Sequence, residues 1–186
     1  MKRVFDLTVV FFALLLLVLL VVAVSIAVRI TSKGPAIYWS DRVGKRNKIF
    51  KMPKFRSMRT DTPAVATHLL QNAHSFLTPI GSFLRKSSLD ELPQLWSILK
   101  GDMSFVGPRP ALFNQYDLIE LRTKHGVDDL LPGLTGWAQV NGRDELSIEE
   151  KVKFDLLYLH NQSIWFDIKI MWLTLLKVAN KENVSH

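Results

Sequence analysis

The sequence of 186 residues contains no cysteine. Disulfides, thiolate metal sites and a cysteine nucleophile are therefore excluded, and the composition fits a reducing compartment. The five histidines have no HExxH-like spacing, so a zinc site is not predicted. Neither the P-loop pattern GxxxxGK[ST] nor GxGxxG occurs. A standard nucleotide-binding fingerprint is thus also absent.

Acidic residues are fewer than basic ones. The chain has 24 Lys and Arg against 17 Asp and Glu, which gives a formal net charge of +7. Such a balance favours anionic partners, namely nucleic acid, phosphorylated metabolites or acidic lipid surfaces. No groove-reading or base-stacking module is recognisable, so nucleic acid is not predicted as a partner. The length suits one compact domain with an appendage.

Proline and glycine are absent from the first 31 residues, and Val4 to Val28 is almost wholly apolar. A helix over that run is about 37 Å long, against about 30 Å of bilayer hydrocarbon. We predict a membrane-embedded helix in residues 1–33 and a cytosolic domain in residues 34–186. A cleaved signal peptide is the alternative, disfavoured because the run exceeds the roughly 7–15 apolar residues of such peptides.

The first part of the soluble region combines short β-prone pieces with many basic residues. Ile37 to Trp39 and Lys48 to Met52 are predicted strands, and Pro53 argues against one continuous central strand. Thr60 to Pro79 is polar and weakly patterned, so we interpret it as a mobile or lid-like loop. Further on, Met103 to Val106 is predicted as a short strand.

Two adjacent carboxylates, Asp90 and Glu91, lie in the segment "SSLDELPQLW". Ser88 and Glu91 have the spacing of a capping box. A stripe at helical spacing follows and predicts a helix with one face in the core, formed by Leu89, Leu92, Trp96 and Leu99. The helix dipole would then keep both carboxylates ionised. Helix capping alone is the simpler explanation of the pair.

Basic residues on both sides of this acidic pair favour a second explanation. Arg85 precedes it, and Arg109 is held between two prolines in "GPRP", a stiff turn that suits bidentate phosphate contact. Carboxylates beside fixed arginines are typical of a phosphate site bridged by magnesium. One carboxylate could also attack phosphorus. The alternative for "GPRP" is an ordinary structural turn.

Two later segments are also open to two interpretations. The glycines of "LPGLTGWAQVNGR" could be loop architecture or part of a site. Ser147 and Glu150 predict a second capped helix that ends near His160. A last helix near Ile164 to Ala179 carries an apolar face that could pack in the core or lie at a membrane interface, formed by Trp165, Ile168, Trp172, Leu175 and Ala179.

Three motifs in this order carry a resemblance to a known family. They are "KFRSMR" (residues 54–59), "SSLDELPQLWSILKGDMSFVGPRP" (87–110) and "LPGLTGWAQVNGR" (131–143), after an N-terminal hydrophobic segment. The chain resembles the bacterial sugar transferase family, monotopic polyprenol-phosphate phosphoglycosyl transferases, in its minimal catalytic form. The expected fold is α+β and mainly helical, with a membrane-embedded helix, short strands and amphipathic interfacial helices.

The resemblance implies transfer of sugar 1-phosphate from a UDP-sugar to undecaprenyl phosphate, with release of UMP, as the first step of a surface glycan. It implies that Asp90 is the nucleophile of a covalent phosphosugar intermediate, and that Asp90 and Glu91 bind Mg²⁺. Five basic residues at matching positions are expected to bind phosphate or nucleotide: Lys54, Arg56, Arg85, Arg109 and Arg143. A non-catalytic scaffold or anion-binding protein of a glycan-assembly complex is the alternative.

One position departs from the family. Minimal members break the membrane helix with a Ser-Pro pair and so re-enter on the same face, whereas this chain has Val18-Leu19. Basic residues flank the apolar run on both sides, at Lys2-Arg3 and at Arg29 and Lys33, which leaves the orientation of a span ambiguous. We therefore favour re-entry, with the catalytic domain on the cytoplasmic face of the bacterial inner membrane. The sequence leaves open whether the chain forms a homodimer.

Overall fold

The computed structural model describes residues 1–63, 73–142 and 145–179. Its helices are α1 (Lys2–Thr31), α2 (Gly81–Lys86), α3 (Leu95–Lys100), α4 (Tyr116–Lys124), α5 (Ile148–His160) and α6 (Ile164–Ala179). Its strands are β1 (Ile37–Val43), β2 (Ile49–Phe55), β3 (Ser104–Val106) and β4 (Gly133–Thr135). Helices predominate and the strands are short, which confirms the predicted α+β, mainly helical class.

The strands form two separate pairs. β1 and β2 are antiparallel, and β3 and β4 are parallel. Both predicted strands near residues 37 and 48 exist, and each extends beyond its predicted end. Pro53 lies inside β2 opposite Trp39. Proline is tolerated there because a strand with a single neighbour leaves one edge without ladder hydrogen bonds.

The parallel pair depends on close backbone approach between two glycine-rich segments. The Gly107 N–H donates to the Thr135 carbonyl at 2.9 Å, and the Gly133 N–H donates to the Pro108 carbonyl at 2.9 Å. A Cβ on Gly133 or on Gly136 would lie 2.1 Å from backbone atoms of Gly107. These two glycines therefore have an architectural function, since they let "LPGLTG" support the turn that carries Arg109.

Helix α1 packs one face along the rest of the molecule over nearly its whole length. Val10 belongs to the main core cluster, and Val28, near the other end, belongs to a second cluster with Phe55 and Leu84. The opposite face is apolar and exposed, with Leu16 81% and Leu19 80% accessible. By length and composition α1 could cross a membrane.

Polar contacts attach both ends of α1 to the same domain. Near its N-terminus, Arg3 donates to the Ile98 and Leu99 carbonyls of α3, and the buried Asp6 carboxylate accepts from the Ser104 hydroxyl. Just after its C-terminus, the carbonyls of Ser32 and Lys33 accept hydrogen bonds from the guanidinium of Arg56, which follows β2. The two ends therefore contact one body.

The segment after α2 differs from the predicted capped helix. Ser88 has a left-handed backbone (φ 55°), and Leu89–Gln94 is a 3₁₀ helix with Pro93 inside it; within the described residues no side-chain hydrogen bond caps this turn. The predicted core stripe is correct for Leu89 and Leu92, which pack against a core cluster, and wrong for Trp96, which is 57% exposed. Pro93 lacks an N–H, so a regular α-helix begins only after it, at Leu95.

The C-terminal helices follow the local signals closely. Ser147 and Glu150 form both hydrogen bonds of the predicted capping box at the start of α5, and α6 has the predicted bounds. The apolar face of α6 is exposed, with Trp165 82% and Trp172 60% accessible. Of the two interpretations of this face, packing in the core is therefore wrong. Of the predicted lid-like loop, residues 64–72 lie outside the described residues.

Candidate active site

The acidic pair lies on the 3₁₀ helix Leu89–Gln94. Leu89 and Leu92 of this turn pack against the cluster that contains Phe55 and Leu84. These apolar contacts fix the turn, and Asp90 is left only 8% exposed. The side chain of Glu91 is 14% exposed. Both carboxylates are thus largely withdrawn from water, which is costly unless positive charge lies nearby.

Two cations from distant segments meet at Glu91. Lys54 of β2 places its Nζ 2.9 Å from Glu91 Oε1, and Arg109 of the "GPRP" turn places its Nη2 3.3 Å from the same oxygen. The structure therefore brings together three of the residues that the sequence singled out. A single carboxylate oxygen bridges them, so a phosphate group could replace it as their partner.

Arg85 approaches the acidic pair from α2. Its Nε donates to the Ser57 hydroxyl at 3.0 Å, which fixes the plane of the guanidinium. Burial lowers the pKa of Arg85, while the negative charge of Asp90 opposes that shift. Arg85 and Asp90 thus interact electrostatically inside the site.

Burial dominates the electrostatics of the pair. Burial raises the pKa of Asp90, and the negative charge of Glu91 adds to the rise. The positive charges nearby lower that pKa, Lys54 most strongly and Arg85 and Arg109 less so. Burial likewise lowers the pKa of Lys54. The predicted effect of a helix dipole on Asp90 is therefore outweighed, since one short 3₁₀ turn stabilises charge less than burial penalises it. A phosphate ligand would relieve the penalty on the cations.

A buried ion pair holds the turn that presents Arg109. Arg122 of α4 donates Nη1 to the Arg109 carbonyl at 2.8 Å, and its Nε and Nη2 donate to Asp155 Oδ2 at 2.9 and 2.7 Å. Sequence reasoning missed both residues. The available signal was a charge within an apolar stripe, since Asp155 lies three residues from both Val152 and Tyr158, and all three are buried.

Of the two remaining candidates, the structure describes only Arg56, and it does not lie at the acidic pair. The Arg56 guanidinium donates to the carbonyls of Ser32 and Lys33 at the C-terminal end of α1 and is 5% exposed. Its surroundings are therefore those of a helix-capping residue. Arg143 lies outside the described residues.

The oxygen atoms at the acidic pair suit a magnesium ion whose ligands come partly from the protein and partly from the substrate. Within residues 1–63, 73–142 and 145–179 no group of three or more His, Cys, Asp or Glu converges on one point. Asp90 and Glu91 offer two carboxylates, and Mg²⁺ in phosphate sites takes one or two, with phosphate oxygens and waters completing its shell. The residues present fit such an ion and do not form a closed cage.

Comparison with known proteins adds a family assignment. The model of the family described as "Bacterial sugar transferase" matches residues 1–181. The chain is 38% identical to an "Uncharacterized sugar transferase EpsL" of Bacillus subtilis (strain 168), an alignment that covers 100% of this chain and 90% of that protein.

Two longer relatives have more specific names. The chain is 43% identical to "UDP-glucose:undecaprenyl-phosphate glucose-1-phosphate transferase" of Escherichia coli (strain K12), over 95% of this chain and 40% of that protein. It is 40% identical to "Undecaprenyl-phosphate galactose phosphotransferase" of Salmonella typhimurium, over 80% of this chain and 35% of that protein. The chain therefore spans less than half the length of these two relatives.

Proposed function

The chain belongs to the bacterial sugar transferase family, and on that premise we propose that it transfers sugar 1-phosphate from a UDP-sugar to undecaprenyl phosphate and releases UMP. The observation that carries the proposal is the pair of a buried Asp90 and a largely buried Glu91 beside Lys54, Arg85 and Arg109. The relatives named after glucose and galactose transfer to undecaprenyl phosphate support the substrate class.

In the first step, a carboxylate oxygen of Asp90 attacks the β-phosphorus of the UDP-sugar. An O–P bond forms to Asp90, and the bond from the β-phosphorus to the bridging oxygen breaks. That oxygen leaves with its electron pair on UMP. The product is a mixed anhydride that joins the phosphosugar to the enzyme.

In the second step, an oxygen of the acceptor phosphate attacks the same phosphorus. The bond to Asp90 breaks, its electron pair returns to the carboxylate, and undecaprenyl diphosphate sugar is released. The enzyme is regenerated with no net change in its protonation.

The chain's own cations lower the barrier of both steps. Arg109 and Lys54 share Glu91 Oε1, so an incoming phosphate can take over these donors. Charge on the transferring group is thereby neutralised where it develops. The raised pKa of Asp90 reflects a poorly solvated carboxylate, which is a stronger nucleophile once ionised.

Magnesium is part of the proposal, with Asp90 and Glu91 as its protein ligands. When bound, the ion would neutralise negative charge on the diphosphate.

We also propose that α1 enters and leaves the inner membrane on the cytoplasmic face. The Lys2 Nζ lies 2.5 Å from Asp167 Oδ2 of α6, and the Arg3 guanidinium donates to carbonyls at the end of α3. A spanning α1 would carry these two residues across about 30 Å of hydrocarbon, away from their partners. A cysteine at position 2 should therefore resist an impermeant maleimide outside intact spheroplasts, and labelling there would contradict re-entry.

The activity test supplies a panel of UDP-sugars to the purified protein with undecaprenyl phosphate and magnesium and measures UMP. We expect UMP and a lipid-linked sugar in equal amounts with at least one donor. Without acceptor, a donor radiolabelled in its sugar should leave a phosphosugar adduct on Asp90. Release of UDP in place of UMP would identify ordinary glycosyl transfer and refute the proposal.

A further inference from the structure

The backbone around Arg109 is held by hydrogen bonds at six consecutive residues, Phe105 to Pro110, which form the end of β3 and the turn after it. The partners, in order, are Asp6, Tyr158, Thr135, Gly133, Arg122 and Arg42. We infer that Asp6, on the apolar helix α1, is a positioning residue of the active site and that Tyr158 acts with it. The inference rests on the proposed function, in which Arg109 neutralises charge on the transferred phosphate.

Asp6 lies in the second turn of α1 and reaches β3 directly. Its Oδ1 accepts hydrogen bonds from the Phe105 N–H at 3.2 Å and from the Ser104 hydroxyl at 3.1 Å. Asp6 is 1% exposed, and Ser104 and Phe105 are buried as well. A buried backbone N–H requires an acceptor, and Asp6 is that acceptor for Phe105. Loss of the carboxylate would therefore leave a buried N–H unpaired shortly before Arg109 in the chain.

A second route leads from α1 to the next residue of β3. The Lys2 ammonium contacts Asp167 Oδ2 of α6. The Tyr158 hydroxyl shares its proton between Asp167 Oδ1 at 2.6 Å and the Val106 carbonyl at 3.2 Å. Because Tyr158 and Asp167 are both buried, water does not compete for these contacts. The start of α1 therefore acts on two adjacent residues of β3.

The backbone between these contacts and Arg109 is stiff. A proline on each side of Arg109 restricts rotation of the backbone. Gly107 is packed so closely that a Cβ there would lie 2.2 Å from the Leu131 carbonyl oxygen. A displacement of Phe105 is therefore passed on to the turn instead of being absorbed. Because the Arg109 Nη2 lies 3.3 Å from Glu91 Oε1, such a displacement moves the guanidinium relative to the acidic pair.

Arg3 provides a comparison, because it attaches the same end of α1 to a different element. Its guanidinium donates to the Ile98 and Leu99 carbonyls of α3. The cations at the acidic pair come instead from β2, α2 and the turn after β3. If α1 matters only because it is attached to the domain, Arg3→Ala and Asp6→Ala should behave alike. If Asp6 positions Arg109, only Asp6→Ala should act through Arg109.

The kinetic test is a double-mutant cycle on kcat/KM for a UDP-sugar, with undecaprenyl phosphate as the acceptor. Asp6→Ala should reduce kcat/KM about tenfold, as expected for the loss of one hydrogen bond at a charged group, and should have little further effect in the Arg109→Ala protein. Asp6→Asn should retain most of the activity, because its amide oxygen can still accept from the Phe105 N–H. The loss caused by Arg3→Ala, the matched control, should add to that of Arg109→Ala. Additive losses for Asp6→Ala, or an equal loss in Asp6→Asn, would overturn the inference.

Hydrogen exchange measured by mass spectrometry supplies a readout that needs no turnover. In Asp6→Ala, the amides of residues 104–110 should exchange faster than in wild type, whereas those of β2 should be unchanged. In Arg3→Ala, residues 104–110 should exchange as in wild type. Unchanged exchange of residues 104–110 in Asp6→Ala overturns the inference. A wild-type protein that releases no UMP and yet shows this exchange pattern would refute the proposed function alone.

Faster exchange in β2 as well would show that Asp6→Ala is unfolded. Tyr158→Phe then replaces it in both tests, since the ring remains in the core and only the hydroxyl beside Val106 is lost. Its loss of activity should again be small in the Arg109→Ala protein, and additive losses would overturn the inference.

Discussion

Replacing Arg122 with lysine tests whether the buried ion pair acts through Arg109. Lysine keeps the positive charge near Asp155 but removes the planar fork that also reaches the Arg109 carbonyl at 2.8 Å. Arg122 makes three hydrogen bonds, two to Asp155 and one to the Arg109 carbonyl. The lysine ammonium is expected to keep the ion pair with Asp155 and to lose the hydrogen bond to the Arg109 carbonyl. The turn between Pro108 and Pro110 would then be free to shift.

The size of the effect follows from these contacts. A hydrogen bond to a charged group contributes about 1.5–3 kcal/mol, so losing one or two should lower the free energy of unfolding by roughly 1.5–6 kcal/mol. Complete loss of a transition-state donor costs about 2.7–4 kcal/mol in other enzymes. A displaced Arg109 should lose about half of that, which corresponds to a fall in kcat/KM of roughly tenfold to thirtyfold.

The assay is a double-mutant cycle on kcat/KM for the UDP-sugar with Arg122→Lys, Arg109→Ala and the double variant. If Arg122 acts by positioning Arg109, its substitution should reduce activity in wild type and have little further effect once Arg109 is gone. Arg46→Lys is the control, because its ion pair with Asp129 is exposed and should matter little. Additive losses in the double variant would refute the positioning argument.

Three further predictions follow from the site and the fold. Asp90→Asn should abolish turnover, while chemical denaturation at pH 7 should find the variant at least as stable as wild type. The reason is that burial raises the pKa of Asp90. The contribution of Asp90 to stability is therefore present below about pH 4 and is lost as the pH rises through the raised pKa. The same shift should place the acid limb of kcat above about pH 4, and Lys54→Met should move that limb to higher pH, since Lys54 opposes the shift; an unmoved limb would exclude Asp90 as the titrating group. Gly136→Ala should lower the midpoint of thermal unfolding, because its Cβ would lie 2.1 Å from the Gly107 carbonyl oxygen; an unchanged midpoint would contradict the close packing.

Local signals predicted the elements that local chemistry determines. The capping box of α5 depends on two residues three positions apart, and the bounds of α6 follow from an uninterrupted apolar period, so both were readable. The segment after Ser88 was misread because its apolar spacing resembles a helix, whereas Pro93 and the left-handed Ser88 impose a 3₁₀ turn. A stripe of Trp and Leu also does not reveal whether protein or lipid covers it.

The grouping of the candidate-site residues was predictable where they lie in one motif. Asp90 and Glu91 are adjacent, and Arg85 and Arg109 flank them in the sequence. Long-range partners were not predictable, because an ion pair such as Arg122 with Asp155 joins two helices whose packing no local pattern specifies. The same reason explains Arg56, which was expected to bind phosphate and instead lies against the end of α1.

The most direct test of the proposed activity follows the β-phosphate of the donor. The purified protein is given a UDP-sugar labelled with ³²P at that phosphate, undecaprenyl phosphate and magnesium, and the lipid and aqueous phases are separated. Phosphoglycosyl transfer predicts that the label enters the lipid phase while unlabelled UMP accumulates, and that Asp90→Asn prevents both. If the lipid acquires sugar while the label stays in water-soluble UDP, the bond that breaks is the glycosidic one and the account is wrong.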